Sequence, residues 1–366
     1  MRIPIEKSQN QDFAGIRDLY ERHATRKLVW LAALLALLVL ATLYSTATGA
    51  AEVSIKEVVR VIADKLVPGI FPVAGNSLAH TVIVELRLPR IFLAILTGMS
   101  LAGAGTVMQG ILRNPLVDPY TLGLSSGAAF GAALAIVLGP VFFGSAFYHL
   151  GQYIIAVSAF MFGTLTMILV YCIASFKNLA TETLVLGGVA VGYLFSAGLS
   201  ALKYVSDDEK LKELVVWLMG GLWGATWETI GLIVLPVLIG LLILWRLAWD
   251  INALSAGEEV ALNLGVNVKR LRIVSLAVCS LIASITIAFT GIIGFIGLVA
   301  PHICRILIGS DNRFLIPCAS LMGAILLLMS DTLARTIIAP TEIPVGIVTA
   351  LIGAPFFIYL LIKKRT

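Results

Sequence analysis

Residues 85–128 read ELRLPRIFLAILTGMSLAGAGTVMQGILRNPLVDPYTLGLSSGA, and this stretch decides the fold. No charged side chain lies between Arg90 and Arg113, and the apolar segment 91–111 is long enough to cross a bilayer as a helix. Gly98, Gly103, Gly105 and Gly110 punctuate it, as suits helices that pack backbone to backbone in lipid. Asn114–Pro115 and Asp118–Pro119 then form a turn. The prolines close one helix, and Asp118 is placed to cap the next, with Pro119 at its first position.

The rest of the chain repeats this theme. Of 366 residues, 59% are hydrophobic and 13% charged. Soluble domains average about 45–50% and about 25%. Mean hydropathy is +0.99. A water-soluble enzyme is excluded, and so is a single anchor bearing a large soluble domain. Apolar segments recur at about 28–44, 91–111, 119–139, 152–175, 183–203, 229–247, 273–291, 295–308, 314–334 and 344–362. The weakest, 295–308, is short and contains Pro301. These segments predict an all-α polytopic membrane protein with about ten transmembrane helices. Its parts are an N-terminal tail (1–27), one transmembrane domain (28–362) and a short C-terminal tail (363–366).

Arg22, Arg26 and Lys27 directly precede the first apolar run. A cleaved signal peptide would have an unusually long leader and only an indistinct cleavage site near Thr46–Ala47, so an uncleaved helix is expected. Residues 51–67, AEVSIKEVVRVIADKLV, place Val53, Ile55, Val58, Val59, Ile62 and Leu66 near helical spacing. That pattern predicts an amphipathic helix on the external surface. Basic residues set the orientation. With ten spans, both termini and the loops holding Arg113, Lys177, Lys269/Arg270/Arg272 and Arg305/Arg313 share one side, the cytoplasm. Arg87, Arg90 and Arg335 fall outside, against the rule.

Signatures of chemistry are missing. The chain has no phosphate-binding G-x-x-x-x-G-K-[ST] and no H-E-x-x-H. His23, His80, His149 and His302 are too scattered for a metal site, and Cys172, Cys279, Cys304 and Cys318 read as small buried hydrophobes. Glu182, Glu228 and Asp331 lie at span ends, leaving no evident intramembrane carboxylate for ion coupling. Pumping energy would have to come from a partner.

The loop 248–272 is where a partner could act. Ser255 and Glu258 have capping-box spacing, Gly265 is a left-handed stop, and the helix between them is too short to span. Val260, Ala261 and Leu264 need cover, from either lipid headgroups or a docked protein. GMSLAGAGTVMQG and GIIGFIGLVAPH look loosely alike, which hints at an inverted repeat, although spacing alone favours glycine-rich packing without a repeat.

Taken together, these segments resemble the permease subunits of FecCD-type (type II) ABC importers, which move iron–siderophore complexes, haem or cobalamin. Besides 85–128, the resemblance rests on LVLGGVA (184–190), WLMGGLWGATW (217–227), SAGEEVALNLGVNV (255–268), GFIGLVAPHICR (294–305) and EIPVGIVTALIGAPFFIYLL (342–361). The matches keep family order over roughly 85–362.

The resemblance implies a homodimer with its pathway on the twofold axis. Two ATPase subunits would dock on the cytoplasmic face and one substrate-binding protein outside. The chain itself would hold no cofactor, metal or nucleic acid; ATP and Mg would sit on the partner ATPase. Residues 255–268 then resemble the family's coupling helices, with contacts from Ser255, Gly257, Glu258, Ala261, Leu264 and Gly265. Arg87 and Arg90 in L-R-L-P-R, and Arg335, resemble outward arginines that pair with glutamates of the binding protein. From topology alone they read as arginines snorkelling to headgroups; the motif is what points to docking. Asn114, Leu116, Thr181 and Glu182 resemble a cytoplasmic gate, although Glu182 departs from the expected small hydroxyl residue. Capping of a helix by Thr181 or Glu182 is the alternative. Met108, Gln109 and His302 recur in the motifs without an evident mechanism, and His302 reads as structural.

The expected function is therefore import of a metal chelate, an iron–siderophore or haem first and cobalamin second, across the cytoplasmic membrane. A stand-alone secondary transporter or channel is the alternative of a different class.

Overall fold

The computed structural model describes residues 5–49, 54–66, 78–177 and 179–363. Residues 1–4 of the expected N-terminal tail, Val53 of the amphipathic segment and residues 364–366 lie outside these ranges.

Among the described residues the regular structure is all helical, joined by turns and short loops. α1 (Ile5–Ala47) is one helix that contains the first span, Thr25–Ala47. α2 (Ile55–Leu66) follows, and then α3 (Leu78–Thr81), a wide π-helical turn (Val82–Arg87) and α4 (Leu88–Ile111). α5 (Leu124–Phe143), α6 (Ser145–Ser175), α7 (Thr181–Val205), α8 (Asp208–Met219) and α9 (Trp227–Arg246) complete the first two-thirds. α10 (Ala248–Ala256) and α11 (Glu258–Asn263) form the long loop, ahead of α12 (Val268–Thr290), α13 (Ile296–Ile308), α14 (Asn312–Thr336) and α15 (Val345–Lys363). Among the described residues eight helices are long and apolar enough to cross a membrane, and two shorter apolar helices, Ile296–Ile308 and Val345–Tyr359, occupy the remaining predicted positions.

α4 is the axis of the bundle. Of its most apolar window 83% is buried, against 22% for the peripheral α1. Its glycines account for this placement. A β-carbon on Gly105 would strike the Gly297 carbonyl of α13, and one on Gly98 the Gly323 carbonyl of α14. Close backbone approach gains dispersion contacts that lipid cannot supply. The two glycine-rich segments that look alike in sequence thus pack against each other.

The structure corrects three local expectations. Asp118 does not cap a long helix beginning at Pro119. It closes a tight turn with Thr121, whose N–H donates to Asp118 Oδ1 (2.9 Å). Gly123, at φ 83°, then redirects the chain into α5 at Leu124. Second, the capping box lies at Ser54, not Ser255: Ser54 N–H donates to Glu57 Oε2 (2.9 Å) and Glu57 N–H donates to Ser54 Oγ (3.3 Å). These bonds from Ser54 hold the Glu57 carboxyl below its ordinary range. The amphipathic α2 that follows buries Val58 and Val61 against Ile83 and Val84. Third, Cys279, Cys304 and Cys318 are buried as expected, but Cys172 is exposed on α6.

Candidate functional site

At the end of the bundle predicted to be cytoplasmic, α10 stops where Gly257 adopts φ 140° and α11 turns back for six residues. Gly265 ends it at φ 80°, with Gly265 N–H donating to Leu262 O (3.0 Å) and Val266 N–H to Ala261 O (2.9 Å). These bonds satisfy the final carbonyls of a very short helix. Ser255 belongs to α10 and donates to Ile251 O (2.8 Å), so it cannot cap α11. Glu258 instead accepts from Arg272 Nη2 at 3.0 Å, tying the loop to the first turn of α12. Ala261 is fully buried, whereas Val260, Leu262 and Leu264 are 43%, 57% and 68% exposed. The loop thus presents a partly apolar knuckle, tied by Glu258 to Arg272, in a charged setting.

The nearby turn holds the expected gate residues. Leu116 N–H donates to Asn114 Oδ1 (3.0 Å), and the Leu116 side chain is exposed. Thr181 opens α7 after Ala180, whose side chain makes no capping bond, and Glu182 stands in the first turn, where a carboxylate favours a helix start. Among the described residues no hydrogen bond joins Asn114 or Leu116 to Thr181 or Glu182. The turn reaches α7 through Leu122 and Gly123, which pack against Gly188.

Asp311 caps α14 on this same side. Burial opposes its ionisation, but hydrogen bonds from Arg313 and Asn252 and the charge of Lys27 hold its carboxyl well below the usual range. The cluster fastens the first turn of α14 to α1 and α10.

At the opposite end the three arginines converge, but not as free charges. Arg90 donates from Nε (3.0 Å) and Nη2 (2.9 Å) to Asp331 Oδ1, and from Nη1 (2.7 Å) to Glu342 Oε2. Arg335 donates to Asp331 Oδ2 (3.0 Å) and Ser45 Oγ (2.9 Å). Arg87 donates to the Thr46 carbonyl (2.6 Å). Asp331 is fully buried, and Arg87 and Arg335 are nearly so. Topology left these arginines unexplained; inside the fold they join α1, α4, α14 and the loop after α14. A snorkelling guanidinium would reach for headgroups, whereas these reach for protein oxygens. Glu342, exposed, is the outermost member and also accepts from Trp223 Nε1 (3.1 Å). Beside it lies a cavity of about 960 Å³, lined in part by Asp207, Lys210, Glu213, Trp217 and Trp223.

Asp331 and Glu342, the acidic partners of these arginines, are pairings that sequence reasoning missed. Asp331 and Arg335 stand four apart on one helix, a spacing that signals a pair. No local pattern links either to Arg90 or Glu342.

The comparisons with known proteins agree with this architecture. The FecCD transport family model matches residues 37–363. This chain belongs to the FecCD transport family. An ABC transporter permease protein of Methanocaldococcus jannaschii is 42% identical over 352 residues, covering 95% of this chain and 98% of that protein. A haemin transport system permease of Yersinia pestis is 40% identical over 290 residues, 77% of this chain and 83% of that protein. Among solved structures, an inward-facing metal-chelate type ABC transporter matches with TM-score 0.77 and 38% identity, covering 91% and 98% of the two chains. The FecCD chain is thus a multi-pass ABC importer permease, the kind of subunit that works with an ATPase and a substrate-binding partner.

Proposed function

We propose that this permease translocates a metal chelate, an iron–siderophore or haem, using ATP hydrolysed by a separate subunit. The knuckle at 257–265 carries the reading. Three exposed apolar side chains, Val260, Leu262 and Leu264, crown a basic cytoplasmic end, and such a cluster fits a cleft in an ATPase. The ATPase, with its ATP and Mg, then moves α11, and Glu258–Arg272 passes the movement to α12. Ser255, Gly257, Leu264 and Gly265 form the rest of the contact; Ala261, expected among them, is fully buried and instead holds α11 to the bundle.

The functional unit proposed is a homodimer with two ATPases on the cytoplasmic face and one binding protein outside. It lies in the cytoplasmic (inner) membrane with both termini inside. Asn114, Leu116, Thr181 and Glu182 form the cytoplasmic gate. Arg87, Arg90 and Arg335 organise the outer docking surface, and Glu342 presents it. The family relationship and the haemin relative support the cargo class.

Proteoliposomes test this directly. Uptake of a ferric chelate should need the permease, ATPase, binding protein and enclosed ATP together. Uptake by the permease alone, driven by an ion gradient, would refute it. Uptake of cobalamin in place of the iron complex would move the cargo to the second expectation.

A further inference from the structure

We propose that the cytoplasmic end of each subunit contains an oxyanion site of the phosphate class, built from Arg113 and Arg305. A cavity of about 430 Å³ lies between the end of α4, the turn after it, Ser255 of α10, the end of α13 and the start of α14. Arg113, Asn114, Arg305, Ser310 and Asn312 line it, and no aspartate or glutamate does. The cavity is small for a metal chelate and ample for a phosphate with its water.

Charge makes this cavity unusual. Arg305 is half-buried, and its guanidinium donates to the neutral amide of Gln109, Nη2 to Oε1 at 3.0 Å. Gln109 is itself buried and held by the Gly297 carbonyl (3.4 Å), so Arg305 is aimed by a fixed amide. Among the described residues no carboxylate pairs with Arg305 or Arg113. Asp311, the acid nearest Arg305 in sequence, is already committed to Arg313, Lys27 and Asn252, and Asp118, the acid nearest Arg113, is buried in its turn with Thr121. A partly desolvated guanidinium without a counter-charge is costly, and an oxyanion supplies both charge and acceptors. Arg113 holds φ 50°, uncommon for a side-chain-bearing residue, in the turn that carries Asn114. The Ser310 hydroxyl adds a donor to the lining, while the Asn312 amide is already donating to Asn252 Oδ1 (2.8 Å).

An anion there bridges the gate turn to α13 beside the coupling loop, so its occupancy stiffens the link between ATPase and gate. The same chemistry is offered by free phosphate and by a phospholipid headgroup. The site does not depend on the cargo, and its test is independent of transport.

Full-length permease in phosphatidylcholine nanodiscs is titrated with inorganic phosphate at constant ionic strength, reading the thermal unfolding midpoint. A saturable rise is expected, weakened about tenfold or more in Arg113→Gln, as loss of charge-assisted hydrogen bonds requires. Arg305→Lys keeps the charge but loses the fork, and should weaken it too. Arg270→Gln removes a charge from the same face outside the cavity and should leave the response unchanged. Nanodiscs with phosphatidylglycerol form the second arm: stabilisation of the wild type but not of Arg113→Gln assigns the headgroup as the source. A response to neither probe, or one that Arg113→Gln and Arg270→Gln share, overturns the proposal. So does an Arg113→Gln defect confined to ATPase association, which would assign the arginines to a protein carboxylate.

Discussion

Arg90 and Asp331 meet as a forked ion pair between α4 and α14, with the aspartate fully buried. Asp331 also takes Arg335, so one carboxylate offsets two guanidiniums and Glu342 supplies the second negative charge. Breaking a buried pair by removing one partner leaves an uncompensated charge. Asp331→Ala should therefore cost about 3–5 kcal/mol. Thermal unfolding in detergent measures it, and an unchanged midpoint would show that the network contributes nothing.

Glu342 competes with any external carboxylate for Arg90. If the outer arginines receive a binding protein, Glu342→Gln should speed its association, most visibly at low salt. Surface-capture kinetics with the full complex give the rate. Slower or unchanged association would assign the arginines to folding alone. This variant is more telling than Arg90→Glu, which would also disrupt the fold.

Leu264 lies exposed beside the buried Ala261. Leu264→Asp should leave the unfolding midpoint unchanged while reducing co-purification of the ATPase subunits. Glu258→Ala should release the loop from Arg272 and leave ATP hydrolysis partly uncoupled from uptake. Normal uptake per ATP in both variants would rule out this loop as the coupling element.

Gly105 meets the Gly297 backbone, whereas Gly231 has open space where a β-carbon would stand. Gly105→Ala should destabilise by about 1–3 kcal/mol, the usual cost of overpacking. Gly231→Ala should be neutral or slightly stabilising, since alanine is the better helix former. Equal midpoints for the two variants would contradict the packing of α4.

Much of this was legible along the chain. The run 91–111 is long, apolar and glycine-marked, and it became the buried axis, because length and hydropathy are properties of a segment by itself. The stop at Gly265 was readable for the same reason. Ser255–Glu258 shows the limit. Its spacing fits a capping box, but α10 continues through Ser255, and Arg272, fourteen residues away, claims Glu258. The true box, Ser54–Glu57, has the same spacing in a plainer setting.

Composition and periodicity by themselves determined a multi-helix membrane protein, its approximate spans and the lack of a nucleotide motif. These follow from the local cost of placing each side chain in lipid or water. Tertiary structure alone decided which charges are spent inside the fold and which remain available. Arg87, Arg90 and Arg335 look alike in sequence to Arg113 and Arg305. Yet the first three meet carboxylate, hydroxyl or carbonyl oxygens from α1, α14 and the following loop, whereas Arg305 meets an amide and Arg113 no charged group. Pairing between residues hundreds of positions apart depends on helix packing, and packing is set by backbone approach at glycines such as Gly98 and Gly105.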